Sequence, residues 1–221
     1  MSRALDIVQH DLPFLKKSYD VVEALGLMDY YRLSHLPVVE NNFFVGIVAE
    51  EDLLNQDSED IENERFEIPL IYQFALPTDH LFDVVRKTAD FRLSMIPIVG
   101  NDNIYLGCIS QPVLLYNISK MMSLSLEGAT MVLEVRSHDY SLQQISRIVE
   151  EHEAKVVGLA VDYQPDGTLK IHIRTNVQDL NRIRHSFERF GYQIAEVFQA
   201  ERFNEDLHDR YQELMRYFDL K

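Results

Sequence analysis

Cysteine occurs once, at Cys108, and tryptophan not at all. One thiol excludes a disulfide framework within the chain and a cysteine-built zinc site, and it suits a reducing compartment. No stretch approaches the roughly 20 apolar residues that a membrane-spanning helix needs. The opening MSRALDIVQHDLPF lacks the apolar run of a secretory signal. These absences predict a cytoplasmic protein with no membrane partner. Bases are scarce, 21 against 36 acids, for a net charge of −15. The excess is concentrated, with −11 over residues 1–128 and −4 over the rest. A polyanion would be repelled and no basic stripe offsets this, so nucleic acid is not expected as a partner.

Recognisable catalytic patterns are missing too. There is no GxGxxG, P-loop, GxSxG or HExxH sequence. The eight histidines, at 10, 35, 80, 138, 152, 172, 185 and 208, show no paired metal spacing. The run Glu150-Glu151-His152-Glu153 reads as a solvated helix face, because successive helical residues point in different directions. No catalytic residue, metal site or required cofactor is assigned. Cys108 falls in a predicted buried strand, where a thiol is inert.

What the chain does have is apolar content of 46%, with 12 Phe and 11 Tyr, enough for real cores. It also has a long self-match. YRLSHLPVVENNFFVGIVAEEDLL (Tyr31 to Leu54) returns as FRLSMIPIVGNDNIYLGCISQPVLL (Phe91 to Leu115), with one residue added in the second turn. Arg32-Leu33-Ser34 matches Arg92-Leu93-Ser94, Pro37-Val38-Val39 matches Pro97-Ile98-Val99, and Gly46 matches Gly107. The helical pattern upstream repeats at the same offset. Val21, Val22, Leu25 and Met28 mark an apolar face, and Val21, Ala24 and Leu25 correspond to Leu81, Val84 and Val85.

Each copy reads as strand, helix, strand, strand, helix. LPFLKK and IPLIYQFALP are the predicted leading strands, and turns are expected at Asn41-Asn42 and Asn101-Asp102-Asn103. Beyond Ser123–Thr130 the pattern changes. Met131–Arg136 alternates as a strand, and Leu142–Ala154 reads as a helix with Leu142, Ile145, Ile148 and Val149 inward. Lys155–Tyr163 and Leu169–Thr175 are strands joined by Gln164-Pro165-Asp166-Gly167, and Val177–Phe190 is a helix stopped by Gly191. Gln193–Phe198 closes a βαββαβ ferredoxin-like unit. The fold class is therefore α/β (α+β). The predicted divisions are a first copy over 1–58, an acidic linker over 59–67, a second copy over 68–122, a linker over 123–130, the βαββαβ domain over 131–200 and a C-terminal amphipathic helix over 201–221. In the tail, Leu207, Tyr211, Leu214, Met215 and Phe218 share one face, which suits either its own domain or a dimer partner.

The repeat resembles a tandem pair of CBS domains, and the βαββαβ unit resembles an ACT domain. In that order they resemble the acetoin-utilisation accessory protein family. The resemblance implies a pseudo-twofold pair, a homodimer, a small-molecule ligand that is often an adenosyl nucleotide, and no chemistry of its own. It also implies a ligand motif, Gly-x-x-Thr/Ser-x-x-Asp, whose hydroxyl meets phosphate and whose carboxylate meets ribose. The first copy has Gly46 and Asp52 but Ala49 at the hydroxyl position. The second has Gly107 and Ser110 but Val113 at the carboxylate position. Pro37 and Pro97 are placed beside the base by the same resemblance, with Val38 and Ile98 next to them as further ligand-binding candidates.

The residues themselves leave alternatives open. Ser110 could cap its helix, with Pro112 in the first turn. Glu50, Glu51 and Asp52 could simply answer the helix dipole, and the prolines could sit at strand edges. Two unit charges about 6 Å apart at an effective dielectric of 20 repel by about 3 kcal/mol, so Glu50 and Glu51 disfavour a polyphosphate. An adenosine-type ligand is preferred to ATP. In the ACT-like loop Ser137, Asp139 and Ser141 are ligand candidates, but the Pro-Gly turn usual there is replaced by Arg136-Ser137-His138-Asp139-Tyr140-Ser141. Asp139 or Ser141 could equally cap the next helix. Arg32 and Arg92 are expected in ion pairs or dimer contacts. Two functions compete: a regulatory sensor that modulates an unknown partner protein, and a ligand-independent dimeric scaffold.

Overall fold

The computed structural model describes residues 3–55 and 70–199. It divides into two compact units, Met1–Ile118 and Ser119–Lys221. The acidic linker and the tail helix expected over Asn204–Phe218 lie outside the described residues.

In the first unit the repeat is written in the backbone as well as the sequence. Helix α1 (Val21–Tyr31), strands β1 (His35–Glu40) and β2 (Phe43–Ala49) and helix α2 (Glu50–Leu54) form one set. Helix α3 (Leu81–Asp90), strands β3 (Met95–Val99) and β4 (Tyr105–Ser110) and helix α4 (Gln111–Met121) form the other. Asp20 starts α1: its carboxylate accepts from Glu23 N at 2.7 Å, and Glu23 accepts from Asp20 N at 3.2 Å. This reciprocal box satisfies two of the unpaired donors of a helix start.

The matched Arg-Leu-Ser triplets are helix stops. Arg32 and Arg92 take left-handed φ values of 57° and 51°. Leu33 N then donates to Met28 O, and Leu93 N to Thr88 O, which is a Schellman-type closure. Arg32 also makes the expected ion pair, with Asp29 at 3.3 Å, on the surface where such pairs contribute little. Both hairpin turns form where the sequence places them. Asn41 and Asn42 have φ of 49° and 69°, and Asp102 and Asn103 have 55° and 63°. Each hairpin also shifts register at the same point, after Val38 and after Ile98.

A two-stranded hairpin is marginal alone, and here the two copies complete each other. Leu15 bridges Val38 and Ala75 bridges Ile98, each in parallel within its own copy. Gln9 bridges Cys108 and Ile71 bridges Ile47, each antiparallel and across copies. The cores follow the same exchange. Phe44 and Ile47 of the first copy are buried with Val84, Leu93, Ile96 and Ile98 of the second. Met95 and Cys108 of the second are buried with Ala24, Met28 and Leu36 of the first.

Two expectations are corrected here. The described parts of LPFLKK and IPLIYQFALP are not regular strands but single-residue bridges at Leu15, Ile71 and Ala75. A segment that crosses from one hairpin to the other meets each too briefly to build a ladder. Val22, read as part of the inward face, is 70% exposed, and the buried positions of α1 are Ala24 and Met28. Its counterpart Phe82 is 56% exposed, so the outward apolar position is itself repeated.

The second unit is a four-stranded antiparallel sheet in the order β6-β7-β5-β8. Its strands are β5 (Thr130–Arg136), β6 (Val156–Tyr163), β7 (Thr168–Thr175) and β8 (Gln193–Phe198). Helices α5 (Leu142–Glu150) and α6 (Asn181–Arg189) supply Ile145, Ile148, Val149, Ile183 and Phe187 to one core with Leu133, Ile171 and Ile173. That strand order is the ferredoxin-like one expected of βαββαβ. Gly167 and Gly191 take φ of 84° and 83° at the turn and helix stop assigned to them. Helix α6 starts later than expected, at Asn181, whose N–H is held by Asp179 Oδ1 at 2.9 Å. Leu142 is 52% exposed rather than inward, because it occupies the first helical position, outside the Ile145–Ile148–Val149 face.

Candidate functional site

The motif residues collect where each hairpin's second strand runs into the following helix. The junctions share a frame: Glu50 N donates to Ser34 O at 2.9 Å, and Gln111 N donates to Ser94 O at 3.0 Å. The expected prolines are buried and their placement explains their tolerance. Pro37 O accepts from Leu15 N at 2.8 Å and Pro97 O from Ala75 N at 2.9 Å. Each leading segment bonds the proline carbonyl and then the N–H two residues on, from Val39 or Val99, so the missing proline donor leaves no gap. Val38 and Ile98 are core residues, 4% and 0% exposed.

The two motif glycines mark close approaches of neighbouring segments. A Cβ on Gly46 would lie 2.6 Å from Leu70 Cβ. One on Gly107, where φ is +137°, would lie 2.6 Å from Gln9 O. No larger residue fits the latter backbone without strain.

From here the copies diverge. In the first, Ala49 is the N-cap of α2 and makes no side-chain cap, and Glu50, Glu51 and half-buried Asp52 fill the first turn. His35 sits at this junction with its Nδ1 3.2 Å from Ser94 N, which donates to it, and 3.3 Å from Ser34 Oγ. Burial lowers the imidazole's pKa, opposed by the charges of Glu51, Asp52 and Glu50. His35 therefore ties the first copy to the second as a neutral acceptor.

In the second copy, Ser110 is only 8% exposed and already engaged. Its N–H and its hydroxyl both donate to Gln9 Oε1, at 3.1 and 2.8 Å. Close by, Ser94 Oγ is buried and has no partner among the described residues. Cys108 is buried against Tyr105, whose hydroxyl lies 3.2 Å from its sulfur. Burial pushes the thiol up to about 12, so it is inert at neutral pH. The same burial raises the Tyr105 phenol.

In the βαββαβ unit, Ser137 and Asp139 lie in an exposed 3-10 turn, Ser137–Asp139, with Asp139 3.4 Å from His138. Ser141 is the N-cap of α5, its hydroxyl oxygen accepting from Gln144 N at 3.3 Å. Of the two readings open for Ser141, the cap is the one with a geometric partner. Sequence reasoning did not single out Gln9 or His35 as site residues. Gln9 carries no motif, and at the repeat's offset it falls on Pro69, so the sequence held no signal for it. Among the described residues no group of three His, Cys, Asp or Glu is arranged to hold a metal, and no helix is long and apolar enough to cross a membrane.

Residues 4–59 match the CBS domain family model. One curated relative is a homoserine O-acetyltransferase from Methanobrevibacter ruminantium, 26% identical over 106 residues. That match covers 48% of this chain and only 22% of the relative. Among solved structures, a CBS domain pair/ACT domain protein from Thermotoga maritima is 22% identical, over 53% of this chain and 97% of that one, with a TM-score of 0.46. A Vibrio cholerae protein assigned to acetoin utilization (AcuB) is 21% identical, over 57% and 96%, with a TM-score of 0.48. CBSX2 in complex with AMP is 19% identical, over 54% and 98%, with a TM-score of 0.45. At these levels none assigns a ligand to this chain.

Proposed function

From a chain that carries a CBS domain over residues 4–59, repeats its hairpins and helices as a pair and continues into an ACT-like βαββαβ unit, we propose a non-enzymatic regulatory protein. It senses a small adenosine-type metabolite in the first copy's junction and modulates a partner protein. The observation that carries this reading is the half-buried Asp52 at the end of Gly46–Asp52, where the CBS pattern has its ribose-binding carboxylate. Glu50 and Glu51 beside it favour a ligand of low charge over ATP, by a repulsion that solvent screens below the figure given above, since Glu51 is exposed.

Sensing requires that the ligand bind two conformations unequally, and His35, which bonds Ser94 across the copies from the same junction, is a contact such a ligand could bias. A homodimer is part of the proposal. The outward apolar position is repeated on α1 and α3 as Val22 and Phe82, which supports pairing through that surface. Thermal-shift titration with adenosine, AMP and ATP tests the ligand. A compound at 100 times its Kd stabilises by about 2.7 kcal/mol, and adenosine or AMP should shift the transition more than ATP. No shift with any of them would end the sensor reading.

The competing reading, a ligand-independent scaffold, draws on one observation: Gln9 already takes both donors of Ser110. It requires that Asp52→Ala change no binding of any adenosyl compound.

A further inference from the structure

The two copies differ at a matched pair of positions rather than at one. Where Gln9 bridges Cys108 in the second copy, Ile71 bridges the corresponding Ile47 in the first. Where Ser110 ends β4 just before α4, Ala49 ends β2 just before α2. A polar acceptor and a polar donor thus occur together in the second copy, and an apolar pair stands in both places in the first. Gln9 is fixed in place by its backbone as well: its N–H donates to Cys108 O at 2.8 Å and its carbonyl accepts from Cys108 N at 3.1 Å. The carboxamide oxygen then receives Ser110 N–H and Oγ–H together. Two convergent donors on one oxygen at the start of an eleven-residue helix are what a phosphate oxygen would meet there. The unpartnered buried Ser94 Oγ belongs to the residue whose carbonyl holds Gln111 N, the first residue of that helix, so a further polar group at this junction has no protein partner among the described residues.

We propose that Gln9 is an internal stand-in for a ligand oxygen and decides whether the second copy's junction accepts a phosphate-bearing ligand. With Gln9 in place the junction is closed. A nucleotide monophosphate enters only when the Gln9 side chain leaves Ser110. This deepens the sensor reading and rests on it for the ligand class, but it concerns the other copy, so the two can fail separately.

Isothermal calorimetry of the full chain with AMP, and with adenosine as the phosphate-free probe, provides the test. Gln9→Ala should add an AMP site or tighten AMP binding at least about tenfold, the two lost hydrogen bonds no longer competing. Adenosine binding should be unchanged. Gln9→Glu keeps an acceptor oxygen at Ser110 and adds a negative charge, so it should fold and show no gain. Ser110→Ala in the Gln9→Ala background should abolish the gain. If Gln9→Ala folds poorly, the wild-type chain still decides the matter: at millimolar AMP the Gln9 side-chain amide resonances should move as the side chain is displaced. Wild-type adenosine binding with no AMP gain in Gln9→Ala would overturn the role of Gln9 and leave the first-copy reading intact. An AMP gain in Gln9→Ala without wild-type adenosine binding would do the reverse. Unmoved Gln9 resonances at saturating AMP would overturn the proposal.

Discussion

Replacing Phe44 by alanine should unfold both copies of the repeat together. Phe44 comes from the first copy's hairpin, yet its ring is 1% exposed within the core formed by Val84, Leu93, Ile96 and Ile98 of the second. It stacks with Phe74 at 5.8 Å edge-on and with Tyr72 at 5.7 Å. Truncating a buried Phe costs about 3–5 kcal/mol, and the lost aromatic pairs place this site toward the upper end of that range, since each contributes about 0.5–1.5 kcal/mol. An unfolding entropy of about 2.1 cal/mol/K per residue over the 118 residues of Met1–Ile118 is about 0.25 kcal/mol/K. A loss of about 5 kcal/mol then lowers Tm by roughly 20 °C.

Thermal melts followed by fluorine NMR, with fluorotyrosine at Tyr19 in the first copy and at Tyr105 in the second, read both halves at once. The exchanged cores require the two probes to shift together. A drop confined to one copy, or two transitions of which only one moves, would refute the claim that neither copy holds a complete core alone.

Acidification should weaken the first unit through His35. Burial holds the imidazole's pKa below its ordinary value, so its stabilisation is full above that value and is lost as pH falls through the depressed one, when Nδ1 can no longer accept from Ser94 N. Urea midpoints at pH 7 and pH 5 should show the decline, and His35→Gln, which keeps an acceptor, should flatten it; an unchanged slope would remove His35 from the account. Cys108 should resist a thiol reagent at pH 8 in the native state and react fully once unfolded, since its thiol is pushed up to about 12; rapid native labelling would contradict the burial. Ser141→Ala should cost the second unit about 1 kcal/mol as a lost N-cap, measured by chemical denaturation, with no effect on any ligand.

The repeat was legible because its signals are local and strong. Asn41-Asn42 turns a hairpin through its own tolerance of positive φ, Gly191 stops a helix, and the Arg-Leu-Ser triplets recur where α1 and α3 end. The bridges at Gln9, Leu15, Ile71 and Ala75 were not legible as such. A single-residue bridge leaves no periodicity, and its partner is chosen by the path of the chain between hairpins. Val22 and Leu142 were misplaced because an apolar residue one position off a buried face satisfies the same helical spacing count. At the candidate site, the family pattern pointed to Asp52 and Ser110. What Ser110 touches depended on a residue 101 positions away, for which no spacing rule exists.

The most direct test of the sensor account is calorimetric titration of adenosine into the wild-type chain and into Asp52→Ala, with folding checked by circular dichroism. The account predicts saturable binding to the wild type that weakens at least about tenfold when the carboxylate and its hydrogen bonds to the ribose are removed. Equal binding to both chains, or to neither, would contradict it.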